Sequence, residues 1–136
     1  AKEVTRILEA HGDLPAAKAD YKDGRTRVRF KELPPEEKAR LIAENPAYGR
    51  VICRCETITE GEILDALHAE IPATTIDGVK RRCGAGMGRC QGGFCGPRVL
   101  ELISKTLGIS PLDVLQDKAG TNVLLCETKQ EGNHHD

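Results

Sequence analysis

The chain has no tryptophan, and its 136 residues include only two phenylalanines, two tyrosines and one methionine. A core must therefore be assembled from Leu, Ile, Val and Ala, and a domain this small gains from a bound metal centre. Charge of one sign is also missing. The 20 basic and 21 acidic side chains leave a formal net charge of -1, which argues against a general nucleic-acid or membrane surface. No apolar run approaches the roughly 20 residues of a membrane span, so membrane insertion is not expected. The opening AKEVTRILEAHG has no apolar core of a signal peptide. It lacks an initiator Met and moves directly into helical spacing, with Val4, Ile7 and Leu8 on one face. Residues 1–33 are accordingly expected to be an N-terminal extension or the remnant of an upstream domain. A cytoplasmic, reducing setting is the simplest expectation, and clustered cysteines there serve as ligands or redox groups more often than as disulfides.

What the chain does have is local punctuation. RTRVRF alternates weakly and reads either as a short strand or as a solvated linker. PPEEKARLIAEN predicts a helix, with Pro35 in its first turn and Glu36 and Glu37 at its positive end. RVICR is short and β-prone. Thr59 and Glu62 form a capping box that starts a helix running to Pro72, with Ile63 and Leu67 inward. Thr75 caps a helix over 76–82. Pro97 opens another, whose buried stripe is Val99, Leu100, Ile103 and Leu107 and whose stop is Gly108. Ser110 begins a short helical turn, TNVLLCET reads as an extended edge, and 127–136 reads as a disordered tail.

Six cysteines remain. Cys53 and Cys55 stand one residue apart. Cys90 and Cys95 stand four apart in a run with Gly86, Gly88, Gly92, Gly93 and Gly96. Thiolates bind zinc or the iron of iron–sulfur clusters. Glycine permits close backbone approach and inward-turned N–H groups. Cys95 immediately precedes a helix N-terminus, whose positive end stabilises a thiolate. Lys80, Arg81, Arg82, Arg89 and Arg98 surround the second pair with Asp77 the only nearby acid in sequence. These cations either favour a reduced, more negative centre or form an ordinary solvated face. An RNA-binding reading lacks interleaved aromatics. Spacing alone leaves open an iron–sulfur cluster, structural zinc or a thiol redox pair.

NPAYGRVICRCETITEGEILDAL and TTIDGVKRRCGAGMGRCQGGFCGPRVLELI resemble the bacterioferritin-associated-ferredoxin-like [2Fe-2S]-binding domain. The closer likeness is to the form found at the C-terminus of FAD-dependent glycerol-3-phosphate dehydrogenase-like oxidoreductases. The resemblance implies a small, mostly α fold over residues 34–126, with cysteine-bearing loops at helix ends and short extended segments. It implies one [2Fe-2S] cluster on Cys53, Cys55, Cys90 and Cys95. It also implies FAD in an upstream domain absent here, with that flavin domain and another redox subunit or carrier as partners. The simplest members carry C-x2-C as their second pair; the longer spacing here is that of the FAD-linked branch. Cys83 is expected to be a non-ligand, Cys126 a packing residue, and His68 a surface or packing residue. His134 and His135 fall in the tail. No G-x-G-x-x-G fingerprint follows a strand, so the fragment is not expected to catalyse a reaction alone. The alternative is a zinc-stabilised or cluster-free interaction module.

Overall fold

The computed structural model describes residues 1–12, 19–20 and 27–128. Among them are five α-helices and one two-stranded sheet, a mostly α architecture as expected. Helix α1 (Lys2–His11) ends on Gly12 at φ 72°. It buries none of its residues, so Val4, Ile7 and Leu8 stay exposed.

The reading of RTRVRF as a strand finds no support at its C-terminal end. Arg25 and Thr26 lie outside the described residues, and Phe30–Glu32 is a 3-10 turn. Phe30, which stands in a polar stretch of sequence, is buried. Its ring stacks on Tyr48 at 6.3 Å between centroids, and its N–H donates to Glu62 Oε1 at 3.3 Å. Tyr48 sits in the 3-10 turn Pro46–Gly49 that follows α2 (Pro35–Glu44). Its ring covers Gly61 so closely that a Cβ there would meet ring carbons at 2.7 Å. Its hydroxyl donates to Asp65.

Strand β1 (Val51–Cys53) pairs antiparallel with β2 (Ile58–Thr59), with an irregular register between Val51 and Cys53. Thr57, at φ 54°, helps turn the chain between them. Helix α3 (Glu60–Leu67) begins in the expected capping box. Thr59 Oγ1 accepts from Glu62 N at 3.3 Å, and Glu62 Oε2 accepts from Thr59 N at 2.9 Å. The helix ends five residues before Pro72, at Leu67, where Ala73 N bonds back to Ala66 O at 2.9 Å and turns the chain.

Helix α4 (Ile76–Cys83) is capped by Thr75, whose hydroxyl accepts from Gly78 N at 3.0 Å. Helix α5 (Gly96–Leu107) carries its buried stripe on Val99, Leu100 and Ile103. It stops at Gly108, φ 64°. The chain then makes a 3-10 turn, Pro111–Asp113, and its carbonyls at Leu115 and Gln116 accept from the N–H groups of Ile76 and Asp77. This return segment supplies two of the partners that the first turn of α4 cannot find within the helix. The expected extended edge narrows to one bridge, Leu115 with Asn122. Beyond it, Cys126 is exposed rather than packed. The apolar residues around it do not reach the core; Leu125 too is exposed.

Ile63, Val79, Ile103 and Val114 form the centre of the core, all with essentially no exposed surface. Cys53, Cys83 and Cys95 belong to the same cluster. The core thus runs directly up to one side of the cysteine loops.

Candidate metal centre

Two loops meet at one corner of the core. Cys53 is the last residue of β1 and is 1% exposed. Along a continuing strand Cys55 would point to the same face. The chain leaves the strand after Cys53, however, and Cys55 lies exposed in the following turn. The second loop joins α4 to α5. Gly84 and Gly86, at φ 88° and 85°, swing it back toward β1. Gln91 and Gly92, also at positive φ, turn the loop directly after Cys90. Cys95 is the N-cap of α5 and is 2% exposed.

The four cysteines predicted as ligands line one cavity of about 220 Å³, completed by Arg54 and Phe94. Across it, Cys55 Sγ stands 3.7 Å from Cys90 Sγ. Cys53 stands beside Cys95, close enough to perturb its thiol. The sulfurs therefore fall into a rim pair, exposed Cys55 with half-buried Cys90, and a buried pair, Cys53 with Cys95. Among the described residues, no three His, Cys, Asp or Glu side chains converge on a single metal-ion position. A two-plus-two division suits a two-iron centre, in which each iron takes two protein thiolates, better than a single tetrahedral zinc.

The backbone is shaped for this approach. A Cβ on Gly88 would overlap the Cβ of Cys55, and one on Gly93 would come within 3.2 Å of the Cys90 carbonyl. Cys90 and Cys95 also differ electrostatically. The Cys90 thiol is held below its ordinary value, chiefly by the N–H of Phe94, then by the Cys55 thiol and the N–H of Gly92. Burial pushes Cys95 up to about 11, and the neighbouring Cys53 adds to the effect. Burial thus disfavours a free thiolate at Cys95, and a bound cation would offset that penalty.

Cys83 stays apart. It is buried on α4, and its thiol donates to Val79 O at 3.3 Å. Burial pushes its pKa up to about 11. It does not line the cysteine cavity. His68 is an exposed C-cap of α3, and His134 and His135 lie outside the described residues.

The cations are arranged differently from their order in sequence. Arg81 is paired with Asp117 at 2.9 Å and Asp77 at 3.6 Å, so Asp77 is not the only acid nearby. Arg98 is paired with Glu101. Arg82 donates to Ile71 O at 2.6 Å. Arg54, which sequence reasoning passed over, lines the cavity itself. Its position between the two cysteines of C-R-C was the available signal. Phe94, also passed over, is 85% exposed at the cavity rim.

No described helix is long and apolar enough to cross a membrane. No solved structure matches the chain. Among curated relatives, a glycerol 3-phosphate dehydrogenase of Caloramator mitchellensis is 48% identical over 103 residues, covering 76% of this chain and 22% of that protein. A subunit of the anaerobic glycerol-3-phosphate dehydrogenase of Haloferax volcanii is 36% identical over 88 residues, covering 61% and 14%. An opine oxidase subunit of Rhizobium meliloti is 39% identical over 64 residues, covering 47% and 12%. The chain thus spans less than a quarter of the length of these relatives. Residues 51–105, which contain both cysteine loops, match the BFD-like [2Fe-2S] binding domain, so it is this segment, from β1 into α5, that carries the likeness to that family.

Proposed function

We propose that Cys53, Cys55, Cys90 and Cys95 hold one [2Fe-2S] cluster that serves as an electron relay for a larger oxidoreductase. The observation that carries this reading is the meeting of all four cysteines in one cavity, although Cys55 and Cys90 are 35 residues apart in sequence. A bound [2Fe-2S] cluster takes up and releases one electron at a time. The chain's own residues do the rest. Cys55 and Cys90 bring the site to the surface, beside the exposed Phe94, where electrons can enter or leave. Cys53 and Cys95 anchor it to the aliphatic core, which keeps water from the inner face. The N–H groups directed at Cys90 and the start of α5 at Cys95 stabilise negative charge on sulfur.

The parent is a FAD-dependent dehydrogenase resembling glycerol-3-phosphate dehydrogenase, with its flavin domain outside this chain. Flavin there oxidises the substrate, and single electrons then pass through this domain to another redox subunit or carrier. The names of the Caloramator and Haloferax relatives support the substrate class. The Haloferax and Rhizobium relatives are each named as one subunit of an enzyme, which supports an assembly of several redox parts. Six free cysteines suit a cytoplasmic location.

The test uses the parent enzyme, purified anaerobically. Glycerol 3-phosphate is added, and samples frozen during turnover are read by electron paramagnetic resonance. The expected result is a reduced-cluster signal that grows after the flavin is reduced and decays when an electron acceptor is added. A cluster that stays oxidised throughout turnover contradicts the relay role.

A further inference from the structure

The two cysteine loops have no hydrogen-bonded seam between them. Among the described residues, no backbone hydrogen bond joins residues 53–57 to residues 84–95, and side chains add only the contact of Cys55 with Cys90. A third segment touches both loops. Residues 27–33 cross the outside of the domain, and Arg27, Arg29, Lys31 and Glu32 line a cavity of about 220 Å³ with Glu56 of the first turn and Met87 of the second loop. At one end Arg27 Nη2 donates to Cys83 O at 2.8 Å. That carbonyl closes α4, where the helix itself offers no partner and a cation is favoured. At the other end Lys31 Nζ stands 3.5 Å from Glu56 Oε2, one residue past Cys55. Between these ends Phe30 is buried, and its N–H reaches Glu62 Oε1. Glu62 is 3% exposed, and its Oε2 accepts from Thr59 N at 2.9 Å and Thr59 Oγ1 at 3.0 Å. One buried carboxylate thus fastens the segment to the end of β2, whose partner strand carries Cys53.

Resting on the cluster reading above, we propose that residues 27–33 are a positioning strap for the metal centre. They hold the two cysteine loops together from outside, so the working unit begins at Arg27, upstream of β1, where the family match begins. Phe30 supplies the grip through burial, and Arg27 and Lys31 set the direction. The Lys31–Glu56 pair is partly exposed and weak by itself. A strap of this kind pays the ordering of the loops on folding, before any metal arrives. It also resists the parting of the loops that release of a bound cluster requires.

The experiment uses the full chain. Iron and sulfide are measured first on reconstituted wild type, and two of each per chain establish the cluster reading without reference to the strap. Cluster loss to EDTA is then followed by visible absorbance, each protein being held at the same interval below its own melting temperature. Arg27→Met and Phe30→Ala are each expected to lose the cluster about tenfold faster than wild type, the size set by one charge-assisted hydrogen bond or more. Lys31→Glu should be about twofold faster, with the wild-type rate restored when Glu56→Lys is added. Val114→Ala is the control: this core residue has its hydrogen bonds to Pro111 and Val123, away from both loops, and its rate should match wild type. A second readout needs no cluster. In the metal-free chain, the amides of Met87 and Gln91, which bond within the second loop, should exchange about tenfold faster in Phe30→Ala relative to the amide of Ile109 beyond α5. Wild-type rates of cluster loss in both Arg27→Met and Phe30→Ala overturn the strap, as does faster loss in Val114→Ala to the same degree, which would make the effect one of general stability. If wild type assembles no two-iron centre, the cluster reading falls by itself, and unchanged exchange at Met87 and Gln91 then overturns the strap as well.

Discussion

The Cα of Gly88 faces Cys55 so closely that any side chain on it would overlap the Cys55 Cβ. One loop can therefore lie against the other only while residue 88 has no side chain. Gly88→Ala should push the loops apart and lower the iron bound after reconstitution to less than half the wild-type amount. Gly96→Ala is the control, since nothing lies within 4 Å of a Cβ there. Full iron occupancy in Gly88→Ala would show that the loops yield at little cost.

Alanine in place of Cys53, Cys55, Cys90 or Cys95 should abolish the native visible spectrum, because each cysteine supplies an anionic sulfur that no neighbour replaces. Cys83→Ala and Cys126→Ala should leave the spectrum unchanged: the first thiol is satisfied by Val79 O and the second is exposed, away from the cavity. A native spectrum in Cys95→Ala, lost only when Cys83 is removed as well, would make Cys83 the fourth ligand.

Arg54 lines the cysteine cavity, whereas Arg98 is engaged by Glu101. Reduction adds negative charge, so removing a nearby cation should disfavour it. Arg54→Gln is expected to lower the midpoint potential, with a smaller change in Arg98→Gln; both shifts should shrink as salt is raised. Potentiometry with full cluster occupancy decides the matter, and a larger shift in Arg98→Gln would contradict the assignment.

Arg50 forms a two-pronged pair with Glu60, at 2.6 and 2.7 Å, and this holds the Glu60 carboxyl below its ordinary value of 4.5. A carboxylate whose pKa is depressed on folding stabilises the fold above its unfolded value, and that contribution is lost as pH falls through the folded value. Arg50→Met should therefore melt at a lower temperature than wild type near neutral pH. The gap should close as the pH falls below about 4.5, where both chains come to carry a protonated Glu60. A gap that persists unchanged at about pH 2, below the usual carboxylate range, would assign the effect to packing of the Arg50 stem instead.

Features encoded within a few residues were legible in the sequence. The Thr59–Glu62 box, the Thr75 cap and the Gly108 stop each act over one helical turn, and the structure has all three. So were the two cysteine pairs, because each is local. What joins distant segments was not legible. Phe30 packs on Tyr48 and bonds Glu62, which is 32 residues away, and nothing in RTRVRF announces it. Arg81 finds Asp117 across 36 residues, which turns an apparent part of the cluster's charge into a surface pair. The division of the sulfurs into rim and interior depends on where β1 ends, and C-x-C spacing reads the same in either case. The helix after Thr59 is shorter than its sequence suggests. His68, Ala69 and Glu70 suit a helix, while the Ala73–Ala66 bond ends it at Leu67.

Four cysteines from two loops holding a two-iron, two-sulfide centre is the claim on which the rest depends. Its most direct measurement is elemental and sulfide analysis of the chain after anaerobic reconstitution, read with visible absorbance and with electron paramagnetic resonance after dithionite reduction. The expected result is two irons and two acid-labile sulfides per chain, a red-brown colour, and a spin-half signal on reduction. A colourless chain that takes up one zinc, and remains without iron or sulfide under the same treatment, would contradict it.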